Sequence, residues 1–341
     1  VKNKSSILLV RGERHLPGRL NKLALAAAFA AIILIIILIV TFVSADKMMR
    51  IERKPLAGFA SNIMPDYQLA SFPSLDEQTR LSGWFFQTAQ PATSTIILVH
   101  DNGNNRLQFD LDSPALFEFL ISQNFNVLAF DLRNSGKSEG QLSTYGYAEW
   151  EDVLAAIKYV RQYSATSDVV LYGIGSGVSA ALMAWQELPA AGSTENAESV
   201  SDNELGFDRG YIRAVILDTP AISPDEYIQA DLREQGPLGR YLLQHTVPYA
   251  IRLSAGHART SNLITIVSQM QIPVFATWCE PDSHISNESI QPFVDERVRL
   301  HPDTTRIFRV EKVGSGQGWQ LDQAGYIQSL EAFLDRYVRP S

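Results

Sequence analysis

Residues 171–180, LYGIGSGVSA, set a glycine-rich turn between a short apolar run and the start of a helix. A Gly-x-Ser-x-Gly turn of this kind holds a serine hydroxyl on a strained bend, where it can attack a carbonyl. That attack needs a histidine to take the serine proton and a carboxylate to orient the histidine and stabilise its cation. The apex of this turn is Gly175, two residues after Gly173 and two before Gly177, and glycine brings no nucleophilic atom. Ser176 is adjacent, but one step along a helix rotates a side chain by about 100°. Ser179 falls a full turn into the helix. Ser138, between Gly136 and Gly140, fits the same spacing and reads as a structural turn.

Further residues with possible chemistry gather in four places. HDNGNNR (100–106) opens with His100, Asp101 and Asn102, and FDLRNSGKSEG (130–140) carries Asp131 and Arg133. TWCEPDSHIS (277–286) carries Asp282 and His284, and VGSGQGW (313–319) carries Gln317. A glutamine amide can hydrogen-bond to a carboxylate such as Asp282, yet it takes up no proton near neutral pH. His284 reads as a solvated loop residue, and His245, His257 and His301 have no motif context. Asp131 and Arg133 read as fixing the loop after their strand. No spacing of His, Asp and Glu suggests a metal site. The single cysteine, Cys279, excludes an internal disulfide and a thiolate zinc cluster. No cofactor is expected.

Such groups work together only if the chain converges them. TIILVH (95–100), NVLAF (126–130), VVLY (169–172), IRAVILD (212–218), IPVFATW (272–278) and TTRIFRV (304–310) read as strands. Amphipathic helices are predicted over 113–123, 145–162, 177–187 and 323–338. Short β-branched runs alternating with helices predict an α/β domain, a mostly parallel sheet covered by helices on both faces. The polar, acidic stretch 190–210 reads as a surface loop. Residues 222–268, between two strands, mix aromatic and helical character. They are placed to cap the C-terminal edge of the sheet, where open α/β sheets bind ligands.

Leu23 to Val43 is an uncharged apolar run. As a helix it would be about 31 Å long, enough to cross the hydrocarbon core of a bilayer. The expected organisation is a basic cytoplasmic tail (1–22), a transmembrane anchor or signal (23–45), a stalk (46–66) and one domain (67–341). Six Lys/Arg and one acid, Glu13, fall within residues 1–22, while Lys47, Arg50, Arg53 and Lys54 follow the run. The excess favours a single-pass cell-membrane protein with its main domain outside the cytoplasm. Val43-Ser44-Ala45 fits a signal-peptidase site, but the run exceeds the 7–15 residues usual for a cleaved signal, which favours an uncleaved anchor. The formal net charge is −8 despite that basic tail, so the body is acidic and unsuited to nucleic acid.

Taken in order, these segments resemble the α/β-hydrolase family over about residues 67–338, most of all its short-cap serine-hydrolase branch, whose members cleave esters, amides or peptides. HDNGNNR is similar to that family's oxyanion loop, FDLRNSGKSEG to the loop after the following strand, and LYGIGSGVSA to its nucleophile elbow. TWCEPDSHIS is similar to the strand end bearing the acid, and VGSGQGW to the loop bearing the histidine. The resemblance implies an α/β-hydrolase fold. It puts Asp282 at the acid position, Gly175 at the nucleophile position and Gln317 at the histidine position. His100, Asp101, Asn102 and the backbone of Ser176 then surround the oxyanion hole, with Asp101 in place of a glycine. Loss of one triad member costs serine proteases on the order of 10⁴ to 10⁶ in rate. The expectation is a membrane-anchored, hydrolase-like protein without a working triad, which binds a small ligand under its cap or a protein partner. The alternative is a divergent hydrolase with a non-standard nucleophile such as Ser176.

Overall fold

Eight short runs rich in β-branched and aromatic residues line up in one sheet, in the order β1-β2-β4-β3-β5-β6-β7-β8. The structure, a computed structural model, describes residues 18–58, 63–192 and 205–339, with side chains from Lys22 onward. Most of the expected basic tail and residues 193–204 of the expected surface loop lie outside the described residues. The strands are β1 (Gln68–Pro73), β2 (Arg80–Phe86), β3 (Ser94–Val99), β4 (Phe125–Asp131), β5 (Val169–Ile174), β6 (Ile212–Asp218), β7 (Val274–Cys279) and β8 (Thr305–Val310). From β4 through β8 every neighbouring pair is parallel, and β2 joins β1 and β4 antiparallel.

β3, β4, β5 and β7 are buried at every position, which is why they read as unbroken apolar runs. Helices α3 (Trp150–Tyr163) and α4 (Ser176–Glu187) cover one face through Val153, Ile157, Val178 and Leu182. On the other face lie α2 (Ser113–Ser122) and the C-terminal helix over Gln323–Tyr337, which bring Leu116, Leu120, Leu330 and Phe333. The chain leaves β3 toward β4 and leaves β5 toward β6, in opposite directions along the sheet. That reversal opens a crevice outside the C-terminal ends of β3 and β5, the usual ligand position in such sheets.

Between β6 and β7 lie α5 (Pro224–Glu234), a π-helical turn (Gly239–Leu243), α6 (Gln244–Ser254) and α7 (Leu263–Gln269). The N-terminal helix α1 runs unbroken from Gly18 to Met49, past the expected end of the apolar segment and into the expected stalk. Its side chains are exposed from Lys22 to Ile36. Thr41, Ala45, Met48 and Met49 are buried, at the spacing of one helical face. This face packs on α6, where Thr41 Oγ1 donates to Thr246 Oγ1 at 2.8 Å.

One buried ion pair ties the site loops to the sheet. Asp131, at the end of β4, accepts Arg106 Nη2 at 2.6 Å and Nε at 3.1 Å, with the two side chains 0% and 2% exposed. Its oxygens also take the backbone N–H groups of Arg106 and Lys137, both at 2.7 Å. Arg133 instead pairs with Asp152 and Glu151, so both residues fix loops as the sequence suggests. Removing one member of a buried pair strands the other charge at a cost of about 3–5 kcal/mol. Arg106→Ala is therefore expected to destabilise the fold by that amount, measurable as a lowered urea midpoint.

Candidate active site

β5 meets α4 within a single residue, and the bend falls on Gly175 at φ 53°, ψ −127°. A side chain at that φ is strained, whereas glycine adopts it freely. The adjoining Gly177 lets α4 approach the end of β3 so closely that a Cβ there would lie 2.2 Å from the Val99 carbonyl oxygen. These two glycines make the elbow possible.

The space above the elbow holds a carboxylate. A Cβ on Gly175 would meet Asp101 Cγ at 2.3 Å. Asp101 Oδ1 accepts the backbone N–H groups of Ser176 and Asn102 and the Ser176 hydroxyl, each at 2.8 Å. Those two N–H groups converge on one carboxylate oxygen, so any other acceptor entering here would have to displace Asp101. The Asn102 N–H is shared with Ser176 Oγ, also at 2.8 Å. Burial raises the Asp101 carboxyl above its ordinary value, the bonds from Ser176 and Asn102 oppose this, and nearby Asp231 adds to it.

His100 supports this loop. Its Nδ1–H donates to the Asp101 carbonyl at 2.8 Å and its Nε2 accepts the Leu132 N–H at 3.0 Å, so neither ring nitrogen is free for proton transfer. Burial holds the ring below its ordinary pKa, consistent with the neutral form. Ser138 is likewise structural, donating to the Asp131 carbonyl at 2.5 Å and accepting the Ser82 N–H at 2.9 Å.

The loops after β7 and β8 run side by side, joined by a bridge between Asp282 and Gly314. Asp282 Oδ1 accepts the N–H groups of His284 (2.9 Å) and Ile285 (2.7 Å). Its Oδ2 is buried near Ser315, and among the described residues no imidazole donates a hydrogen bond to it. Gln317 opens the short helix α9 (Gly318–Leu321) with its side chain exposed, and among the described residues no hydrogen bond joins it to Asp282. The loop instead turns Gly316 toward the elbow. Its N–H donates to Thr219 Oγ1 at 2.9 Å, and a Cβ there would stand 3.4 Å from Ile174. Asp218, at the end of β6, accepts Tyr326 Oη at 3.1 Å and is pushed up to about 7, chiefly by burial, with Asp282 and Asp101 contributing. Burial raises Asp282 as well. The crevice thus gathers three carboxylates whose charged forms are all disfavoured.

His284 is not the solvated loop residue that its neighbours in sequence suggest. Its Nε2 meets Asp231 and its Nδ1 meets Glu234, both at 3.0 Å and both on α5. These bonds raise it from 6.5 to about 9. Tyr145 Oη donates to the other oxygen of Asp231 at 2.5 Å, and Tyr147 Oη donates to Asp225 at 2.7 Å. Nothing in the sequence spacing marks these contacts, because they join loops to a helix fifty or more positions away. Together they hold α5 over the crevice. The space left among His100, Asn102, Tyr145 and Ser176 is about 10 Å³, near the minimum for one water. A larger cleft of about 360 Å³, between β1 and α3 beside Tyr159 and Tyr163, lies elsewhere. Among the described residues, no group of three or more His, Cys, Asp or Glu is arranged to hold a metal ion.

A sequence model of the alpha/beta hydrolase family matches residues 96–325. YfhR of Escherichia coli (strain K12) is 34% identical over 145 residues, a segment covering 41% of this chain and 43% of that protein. YfhR of Salmonella typhimurium is 33% identical over 151 residues, 46% of its length. The chain thus matches less than half the length of these curated relatives. Among solved structures, the Pyrococcus furiosus esterase Pf2001 superposes with a TM-score of 0.64 at 19% identity, covering 86% of this chain and 99% of that one. An acylaminoacyl peptidase of Pyrococcus horikoshii gives 0.54 at 13%, covering 81% of this chain and 42% of that one. At such identities these two likenesses concern the fold alone.

Gly175→Ser places a Cβ against Asp101 in a disfavoured backbone region, at an expected cost of about 2–4 kcal/mol. In Gly175→Ser/Asp101→Gly the collision is gone, so a double-mutant cycle by urea unfolding should show coupling of at least about 1 kcal/mol. His284 gives a pH signature. Its folded value lies above its unfolded one, so its contribution is complete below pH 6.5 and is lost as pH rises through about 9. Over that window the unfolding midpoint should fall by no more than about 3 kcal/mol in free energy, and His284→Gln should flatten the fall.

Proposed function

The chain belongs to the alpha/beta hydrolase family, and from that membership we propose a membrane-anchored, hydrolase-like protein that binds a partner and runs no serine-hydrolase cycle. The observation that carries this reading is the Asp101 carboxylate bonded to both backbone donors above Gly175. An oxyanion hole works by offering unoccupied dipoles to the charge that develops in the transition state. Here those dipoles already serve a carboxylate, and a substrate oxyanion would form beside a like charge. The elbow lacks a nucleophile, and Gln317 supplies no base. The acceptor position above the elbow is taken by this chain's own carboxylate, so a partner at the surface is a better fit than a small ligand at the elbow.

The anchor is α1. Between Lys22 and Met49 it is long and apolar enough to cross a membrane, and the most apolar part of it is bare of protein contacts. With six Lys/Arg before the apolar run, we place the N-terminus in the cytoplasm, the body outside and the helix uncleaved.

A second reading rests on one contact. Ser176 Oγ donates to Asp101 at 2.8 Å, the geometry of a hydroxyl nucleophile and a carboxylate base. The same carboxylate, however, blocks the donors such chemistry would use. Exposing the full chain in detergent to a fluorophosphonate probe and to short p-nitrophenyl esters separates the two. No serine labelling and no turnover above background are expected. Labelling or turnover that disappears in Ser176→Ala would replace the proposal with the second reading.

A further inference from the structure

The helix that carries the apolar run does not end clear of the body. Val40 packs on the body and Thr41 is hydrogen-bonded to Thr246 of α6, although the uncharged run extends to Val43. At 1.5 Å per residue, α6 is fixed to α1 about 3–5 Å inside the end of that run. If the run fills the hydrocarbon core, α6 has to lie at the boundary between headgroups and acyl chains.

The surface of α6 suits that depth. Leu238, Tyr241, Tyr249 and Leu253 are 53%, 75%, 50% and 44% exposed, unusually open for large apolar side chains. With the exposed His245 between them, they follow each other at three- and four-residue steps, which makes one continuous stripe along the π-helical turn and α6. Tyrosine favours the membrane interface, where its ring is apolar and its hydroxyl stays wet. Helices that lie in a bilayer surface bury their apolar face by about 5–10 Å.

Charge points the same way. The chain has 37 Asp/Glu, yet none falls between Gln235 and Cys279. Arg240, Arg252 and Arg259 do fall there, with Arg240 and Arg259 exposed and Arg252 paired to Asp225. On an acidic body this acid-free segment is the part that an anionic lipid surface would not repel.

We propose that the α6 stripe is a lipid-contacting surface: Leu238, Tyr241, Tyr249 and Leu253 lie in the headgroup layer of the bilayer that α1 crosses, with Arg240 and Arg259 facing acidic lipid phosphates. The proposal rests on the membrane-anchored reading of α1. It makes the segment over the crevice a second point of attachment beside the anchor.

The test uses the full chain in vesicles of phosphatidylcholine with a minority of phosphatidylglycerol, carrying one NBD fluorophore on Ile33→Cys, Tyr163→Cys, Tyr241→Cys or Tyr249→Cys. Cys279 is buried, and the unsubstituted chain provides its labelling control. Lipids spin-labelled near the headgroup are expected to quench positions 241 and 249 several-fold more than position 163, at the far end of α3. Lipids labelled deep in the acyl chain are expected to quench position 33. Quenching at 33 with 241 and 249 no different from 163 would leave the anchor intact and overturn the proposal. An unquenched position 33 would overturn the anchor and the proposal together. In pure phosphatidylcholine the quenching at 241 and 249 is expected to weaken, and an unchanged signal would remove the acidic-lipid part.

Discussion

The Asp101 carboxylate fastens the loop after β3 to the elbow after β5. Three donors hold one of its oxygens, and two of them are the backbone N–H groups around which the crevice is built. Gly175 and Asp101 are mutually permissive. The carboxylate needs the space that a Cβ at 175 would take, and a bare elbow leaves two converging N–H groups in want of an acceptor. A buried N–H without a partner costs about 1–3 kcal/mol, so the aspartate meets a need that the geometry of the turn creates.

Electrostatics extend this outward. Asp101, Asp218 and Asp282 stand at the ends of three different strands, and burial disfavours the charge on each. At the rim, His284 joins the loop after β7 to Asp231 and Glu234 of α5. Tyr145 and Tyr147 tie the same helix to the segment before α3.

The sheet from β3 onward was legible because buried parallel strands are unbroken apolar runs, and their six segments lie within two residues of the observed bounds. β1 and β2 were not read. They form an antiparallel margin on which Ser, Gln and Arg alternate with buried residues, and an Asx turn at Asp76 joins them. Helix α8 (Asn287–Leu300) was hidden by Pro292 in its interior, and α1 was cut short because its last turns are polar on the solvent side. At the site, Gly175, Ser176, Asp101 and Asp282 all stand within three residues of a strand end, which the apolar runs mark in the sequence. The occupation of the oxyanion hole could not, since it depends on where one rotamer points. His284 was misjudged for a similar reason, because its partners come from α5.

The continuity of α1 with the body has a mechanical meaning. A flexible tether would let a domain tumble beneath its membrane and sample every approach. Here the last two turns of the helix belong to the hydrophobic core through Ala45, Met48 and Met49. A bilayer that received the helix would also receive the orientation of the sheet, and the molecule would then have a fixed top, a fixed underside and a single working height.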